Sequence, residues 1–130
     1  MSAPFGESEV AVALAMVRAA CLPLPMVSER LSHGSPAFFI AERTCFVMFT
    51  PDHHGDGRLA IWCAAPDGAQ ADLVETEPDR FFRPPYVGHR GWLGVQLPGI
   101  GAEELAAICR DAFRAVATPR LLALLDENRR

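Results

Sequence analysis

Between residues 37 and 64 the chain holds three runs rich in aromatic and β-branched side chains, Ala37 to Ala41, Cys45 to Thr50 and Leu59 to Ala64, divided by short polar segments. Runs of this length and composition read as strands, and their close spacing predicts an antiparallel meander. Pro51 to Gly57, reading PDHHGDG, is a strong turn signal between the second and third. Glu42 and Arg43, between the first and second, include neither the Gly nor the Asn favoured in a two-residue hairpin, so the sequence leaves that register open. Strict alternation gives Cys45, Val47 and Phe49 one shared face, and likewise Leu59, Ile61 and Cys63 on the next strand; the opposite face carries Phe46, Met48 and Trp62. Both faces are apolar. Either helices cover both, or one meets a ligand, a protein partner or a second subunit.

Helical patterns bracket these strands. Val10, Leu14, Val17 and Cys21 recur at helical spacing, with Glu7 and Glu9 at the positive end of the dipole and Pro23 beyond the far end. Between Pro25 and Gly34 a single helical turn is expected over Val27 to Ser32, with Gly34 as its left-handed cap. Pro66 to Thr76 reads as a short helix opened by Asp67 and weakened by Gly68. Trp92 to Leu97 reads as a further strand. Leu105, Ile108, Ala112 and Val116 form the stripe of a long helix, and Thr118 and Pro119 suit the N-cap and first position of a final one through Leu125. The expected class is α+β: one antiparallel sheet with N- and C-terminal helices packed against it. At 130 residues a single domain over 1–130 is expected, with tails at about 1–6 and 126–130.

Charge narrows the range of partners. A net charge of −4 argues against a protein that coats nucleic acid generally, yet Arg80 to Ala102 contains three Arg and no Asp or Glu. Cys21, Cys45, Cys63 and Cys109 are widely spaced, without a CxxC pair or zinc-ligand spacing, and read as buried thiols in a reducing compartment. The first residues lack the positive charge of a secretory signal, and the apolar run Val10 to Val17 is too short to span a bilayer. A cytoplasmic protein without membrane association is the expectation.

The densest chemistry lies at Phe81 to Trp92, reading FFRPPYVGHRGW. Guanidinium and aromatic faces on a Pro/Gly-constrained backbone suit a flat or anionic partner. Phe81, Phe82 and Trp92 read as core beneath the loop, leaving Arg83, Tyr86, His89 and Arg90 as its exposed rim. His53, His54 and Asp56 invite a metal reading, but adjacent histidines on extended backbone point to opposite sides, and an exposed turn is the simpler account. His33, between Ser32 and Gly34, lacks the GxSxG context of a nucleophile elbow and reads as a capping or turn residue. No GxGxxG, phosphate-binding P-loop or paired Cys/His zinc motif is present, and no cofactor is expected.

Several of these segments together resemble one family. LPMVSERLSHGSPAF at Leu24 to Phe38, PPYVGHRGWLGVQL at Pro84 to Leu97 and VATPRL at Val116 to Leu121 are similar to the MmcQ/YjbR family, and DHHGDGRLAIWCAAP at Asp52 to Pro66 to an actinobacterial branch of it. The resemblance covers nearly the whole chain. It implies a CyaY-like α+β sandwich of the "double wing" type, often labelled DNA-binding by structural analogy. Some relatives carry a formyltransferase label, which this sequence does not support: no folate pocket, nucleotide phosphate site or Asn/His/Asp set can be placed in it.

Two readings of function follow. In the first, Arg83, Arg90, Arg43 and Arg58 contact DNA phosphates while Tyr86, with His89 beside it, or Trp62 supplies a stacking surface. In the second, the apolar sheet face around Phe46, Met48 and Trp62 is a pocket floor for a small molecule, or a protein-interaction or homodimer surface. No nucleophile, base or metal set stands out, so a non-enzymatic role is expected.

Overall fold

A computed structural model describes residues 4–127. Helix α1 spans Glu7–Cys21 and is followed by strands β1 (Val27–Ser32), β2 (Ser35–Ile40), β3 (Thr44–Pro51) and β4 (Leu59–Cys63). Helix α2 (Ala69–Thr76), strand β5 (Phe81–Phe82) and strand β6 (Leu93–Gln96) come next, then helices α3 (Ala102–Val116) and α4 (Pro119–Glu127). The class is α+β, as expected. The six strands form one sheet in the order β1-β2-β3-β4-β6-β5, every neighbouring pair antiparallel. Asp126 and Glu127, read as the start of a tail, lie in α4; the tail residues 1–3 and 128–130 fall outside the described residues.

One expected helical turn is a strand. Val27 to Ser32 forms β1 and pairs with β2 from Val27↔Ile40 to Ser32↔Ser35, which leaves His33 and Gly34 as a two-residue hairpin loop. Both loop residues have positive φ, 54° and 82°, as the primed turns that match strand twist require. The glycine read as a helix cap is therefore a hairpin glycine.

A second departure re-sorts the sheet faces. Phe38 pairs with Val47 and Phe39 with Cys45, so Phe46 is an extra residue in β3, a β-bulge. Strict alternation fails at that point. Phe46 turns to the same side as Val47 and meets Phe113 of α3 edge-on, with ring centroids 5.9 Å apart. Cys45 moves to the opposite side, beside Phe39. The bulge also settles the register that Glu42 and Arg43 left open; Ala41 and Glu42 make that turn with φ of 51° and 61°.

Helices α1 and α3 pack together and onto one face of the sheet. The core between them takes Val17 and Cys21 from α1, Leu105, Cys109, Ala112 and Phe113 from α3, and Phe38, Phe46, Val47, Phe49, Ile61, Cys63 and Val95 from the strands. The buried stripe of α3 is thus rotated from the expected one: Ile108 and Val116 are its partly buried flanks. Thr118 Oγ1 accepts a hydrogen bond from Leu121 N and caps α4, as its position before Pro119 predicts. The expected cap at Asp67 is not formed. Helix α2 starts two residues later behind Gly68, whose φ of 83° suits glycine alone.

Candidate ligand-binding site

The sheet face opposite α1 and α3 carries no long helix. Register places Ala37 and Phe39 of β2, Cys45, Met48 and Thr50 of β3, and Trp62 of β4 on it. Three loops rise at its edge: the β1–β2 hairpin with His33, the β3–β4 turn with His53 and His54, and the segment before β6 with Tyr86 and Val87. Together they enclose a cavity of about 440 Å³ with Met48 and Trp62 on its floor. Ser32, Ser35 and Thr50 add hydroxyls to the lining, and no Asp, Glu, Arg or Lys side chain is among the lining residues.

Part of the chain's backbone strain lies at the mouth. Among the described residues, His33, His54 and Tyr86 hold positive φ of 54°, 50° and 65°, and all three line the cavity. Non-glycine residues hold such angles at a cost of about 1–3 kcal/mol each, and surrounding structure must impose them. Asp52, beside His53, has a φ of 49°. Its Oδ1 accepts from Gly57 N, while Asp56 Oδ1 accepts from Arg58 N, so both carboxylates are engaged within the turn. Tyr86 is 70% exposed.

The floor has two unsatisfied polar atoms. Trp62 is 3% exposed, and its Nε1 is buried with no hydrogen-bond partner. His53 Nε2 is in the same condition. Their rings touch edge-on, centroids 4.6 Å apart at 69°, and Tyr86 stands 6.0 Å from His53 and 6.3 Å from Trp62. Burial, and then the neighbouring His54, lowers the pKa of His53, with Asp56 opposing them. Buried polar groups are almost always paired, so these two are exceptions, and both belong to residues that line the cavity.

The residues named from the sequence divide between this cavity and its surroundings. Met48, Trp62 and Tyr86 line it. Phe46 does not, because the bulge sends it under α3. Arg58 lies over the Phe82 ring at 3.9 Å and Arg90 over Trp92 at 5.2 Å. Arg83 is exposed with its side chain against Gly88; His89 is exposed in the turn Gly88–Arg90, and Arg43 is exposed between β2 and β3. Sequence reasoning missed Arg30, which covers the Phe39 ring at 3.8 Å. It also treated His53 as an exposed turn residue; His33, read as a capping or turn residue, does sit in a turn, but one that borders the cavity. The signal for His33 was available: His-Gly between Ser32 and Ser35 sits where alternating residues flank a two-residue turn.

The thiols are poor candidates for chemistry. Cys21, Cys63 and Cys109 are buried between the helices and the sheet. Hydrogen bonding to Cys109, then burial, raises Cys21, and burial raises Cys63. Cys45 is half-buried; desolvation lifts its pKa, and the nearby Arg30 and Arg90 offset only part of that. A nucleophilic cysteine needs the opposite balance. Among the described residues no group of three or more His, Cys, Asp or Glu gathers at a common point, and no helix is long and apolar enough to cross a membrane.

A model of the YjbR family matches residues 22–115. The chain belongs to the YjbR family. Among solved structures, this YjbR-family protein is similar to the crystal structure of Deinococcus radiodurans protein DR2400, a DUF419 domain, at 15% identity over 87% of each chain with a TM-score of 0.67. That likeness extends to the fold. None of the curated proteins matches the sequence. The lining residues, from Ser32 to Val87, all lie inside the stretch that the family model covers.

Proposed function

We propose that this YjbR-family protein is a non-enzymatic domain that binds a small, flat, largely apolar ligand in the outer-face cavity. The observation that carries the reading is a concave, mostly apolar site whose lining includes Trp62, His53 and Tyr86, three aromatic rings within 6.3 Å of one another. A volume of about 440 Å³ suits a small molecule, and a mostly apolar lining with a few convergent polar groups is the usual composition of such sites. Nitrogen-15 NMR with indole and other uncharged bicyclic fragments tests it. Such fragments should shift the Trp62 indole N–H and the amides of His53 and Tyr86; a panel that leaves all three unmoved overturns the proposal.

One observation favours a second reading, in which the same face receives a nucleic-acid strand. Arg30, Arg58 and Arg90 each stack on an aromatic ring, and none forms a salt bridge among the described residues. Arg30 donates from Nη1 to the Glu42 carbonyl, and the remaining guanidinium N–H groups of the three can donate to phosphate. Three such contacts on a single strand correspond to a salt slope of about −2. Anisotropy of a labelled oligonucleotide that stays flat at low ionic strength rules this reading out.

A further inference from the structure

We propose that two copies of this protein pair head to head through β1, the open edge of the sheet, about a two-fold axis at Glu29, so that their two six-stranded sheets become one. The inference is independent of the cavity.

The two edges of the sheet are unlike. Strand β5 is two residues long and packs against α2, whereas β1 is six residues long and has only β2 beside it in the sheet. The loop of His33 and Gly34 closes on the hydrogen-bonded pair Ser32↔Ser35, and Ala41 N donates to Met26 O at the other end of the ladder. Ser28, Arg30 and Ser32 therefore turn their backbone groups toward β2. Val27, Glu29 and Leu31 turn theirs to the open edge. Val27 N donates to Leu24 O at 3.3 Å, while the N–H groups of Glu29 and Leu31 and the carbonyls of all three have no partner among the described residues.

Exposed edges are normally guarded by a charge, a proline or a bulge. Strand β1 contains no Pro, and its register with β2 runs unbroken from Val27 to Ser32. Its two charged side chains are turned back into their own subunit. Both Glu29 oxygens accept from Arg18 of α1, and Arg30 lies on the Phe39 ring of β2 and donates to Glu42 O. Leu31, 71% exposed, stands at the edge instead.

The unpartnered groups match a second copy of themselves. With Glu29 opposite the partner's Glu29, the two residues exchange N–H···O bonds, and Leu31 N donates to the carbonyl of the partner's Val27, with the symmetric bond on the other side. The occupied Val27 N is not needed. Residues opposed in this way share a face, so the exposed Leu31 side chain meets the partner's Val27. Each Glu29 carboxylate comes to the axis already paired with its own Arg18 at 2.8 Å, which offsets the repulsion between the two. A like-to-like contact closes at two copies, whereas β1 joined to the short β5 of another copy would grow a filament. The axis runs perpendicular to the sheet, so both cavities open on the same side of the pair.

Sedimentation velocity from micromolar to millimolar protein should show a monomer–dimer equilibrium. NMR hydrogen exchange over the same range should show the Glu29 and Leu31 amides gaining protection as the dimer forms, while those of Ser28 and Arg30, bonded to β2 in both states, stay unchanged. Leu31→Pro removes an outward N–H without touching the β2 ladder, and should weaken dimerisation about tenfold or more because two bonds are lost by symmetry. Leu31→Lys keeps the backbone, places a charge against the partner's Val27 and should also weaken the dimer, with Tm in dilute solution unchanged. A protein that stays monomeric at millimolar concentration overturns the proposal. So does a dimer whose Glu29 and Leu31 amides exchange as fast as in the monomer, or one that both Leu31 variants leave intact.

Discussion

The ring of Phe82 lies on the backbone of Gly94: a Cβ built on Gly94 would stand 2.6 Å from Phe82 Cδ2. The two residues are cross-strand partners on β5 and β6, and Arg58 lies over the same ring at 3.9 Å. Gly94 serves here for space, since its side-chain position is filled by a neighbour.

Gly94→Ala should therefore destabilise the protein by about 1–3 kcal/mol, the usual range for overpacking. The ring must move, and Arg58 loses its platform with it. Urea denaturation measures the loss. An unchanged midpoint would mean that β5 can shift without cost.

Phe46→Ala should cost about 3–5 kcal/mol, as for a fully buried aromatic in a well-packed core. Phe46 is 0% exposed and contacts Phe113 on the sheet face opposite the cavity. Ligand affinity of the folded fraction should stay within about twofold, because distant sites contribute independently. A variant that keeps its stability and loses ligand affinity would return Phe46 to the outer face.

His53 makes stability depend on pH with a definite sign. Its folded-state pKa lies below the ordinary 6.5, so the folded form binds its proton less readily than the unfolded chain. Stability should be intact above pH 6.5 and fall as pH drops from there through the folded pKa. In the variant His53→Phe the decline of Tm over that window should be shallower than in wild type. Parallel curves would remove the desolvated imidazole from the account.

Glu29 works in the acid range. Both of its oxygens accept from Arg18, at 2.8 Å each, tying β1 to α1. This fork lowers the Glu29 pKa below its ordinary 4.5. The folded carboxylate thus adds stability that is present above pH 4.5 and is lost as pH falls through the folded pKa. Glu29→Gln should lower Tm at neutral pH, with the gap to wild type closing as the solution is acidified below that point. A constant gap would assign the effect to packing.

Elements with strong local signals were legible in the chain. The period of Val10 to Cys21, the acids at Glu7 and Glu9, and the Thr118-Pro119 start of the last helix each act within a few residues of one another. Aromatic and β-branched density marked β2, β3 and β4, and the compact turn Asp52 to Gly57 marked their hairpin. The face assignment was legible only as far as Phe46. One extra residue reverses side-chain parity, and nothing within β3 announces it, because the bulge depends on how β2 aligns across from it.

What the sequence by itself determined is the α+β class, the helices at either end, and that both sheet faces would be apolar, because periodicity and composition act locally. The tertiary structure decided which face α1 and α3 leave uncovered and what gathers on it. His33, His53, Trp62 and Tyr86 come from a hairpin, a turn, a strand and a loop that are distant in the chain. They meet because β1 and β2 fold back on one side of β3 while the segment before β6 returns on the other side of β4. Such long-range pairings are fixed by the burial of the whole core under α1 and α3, and no residue taken alone carries that information.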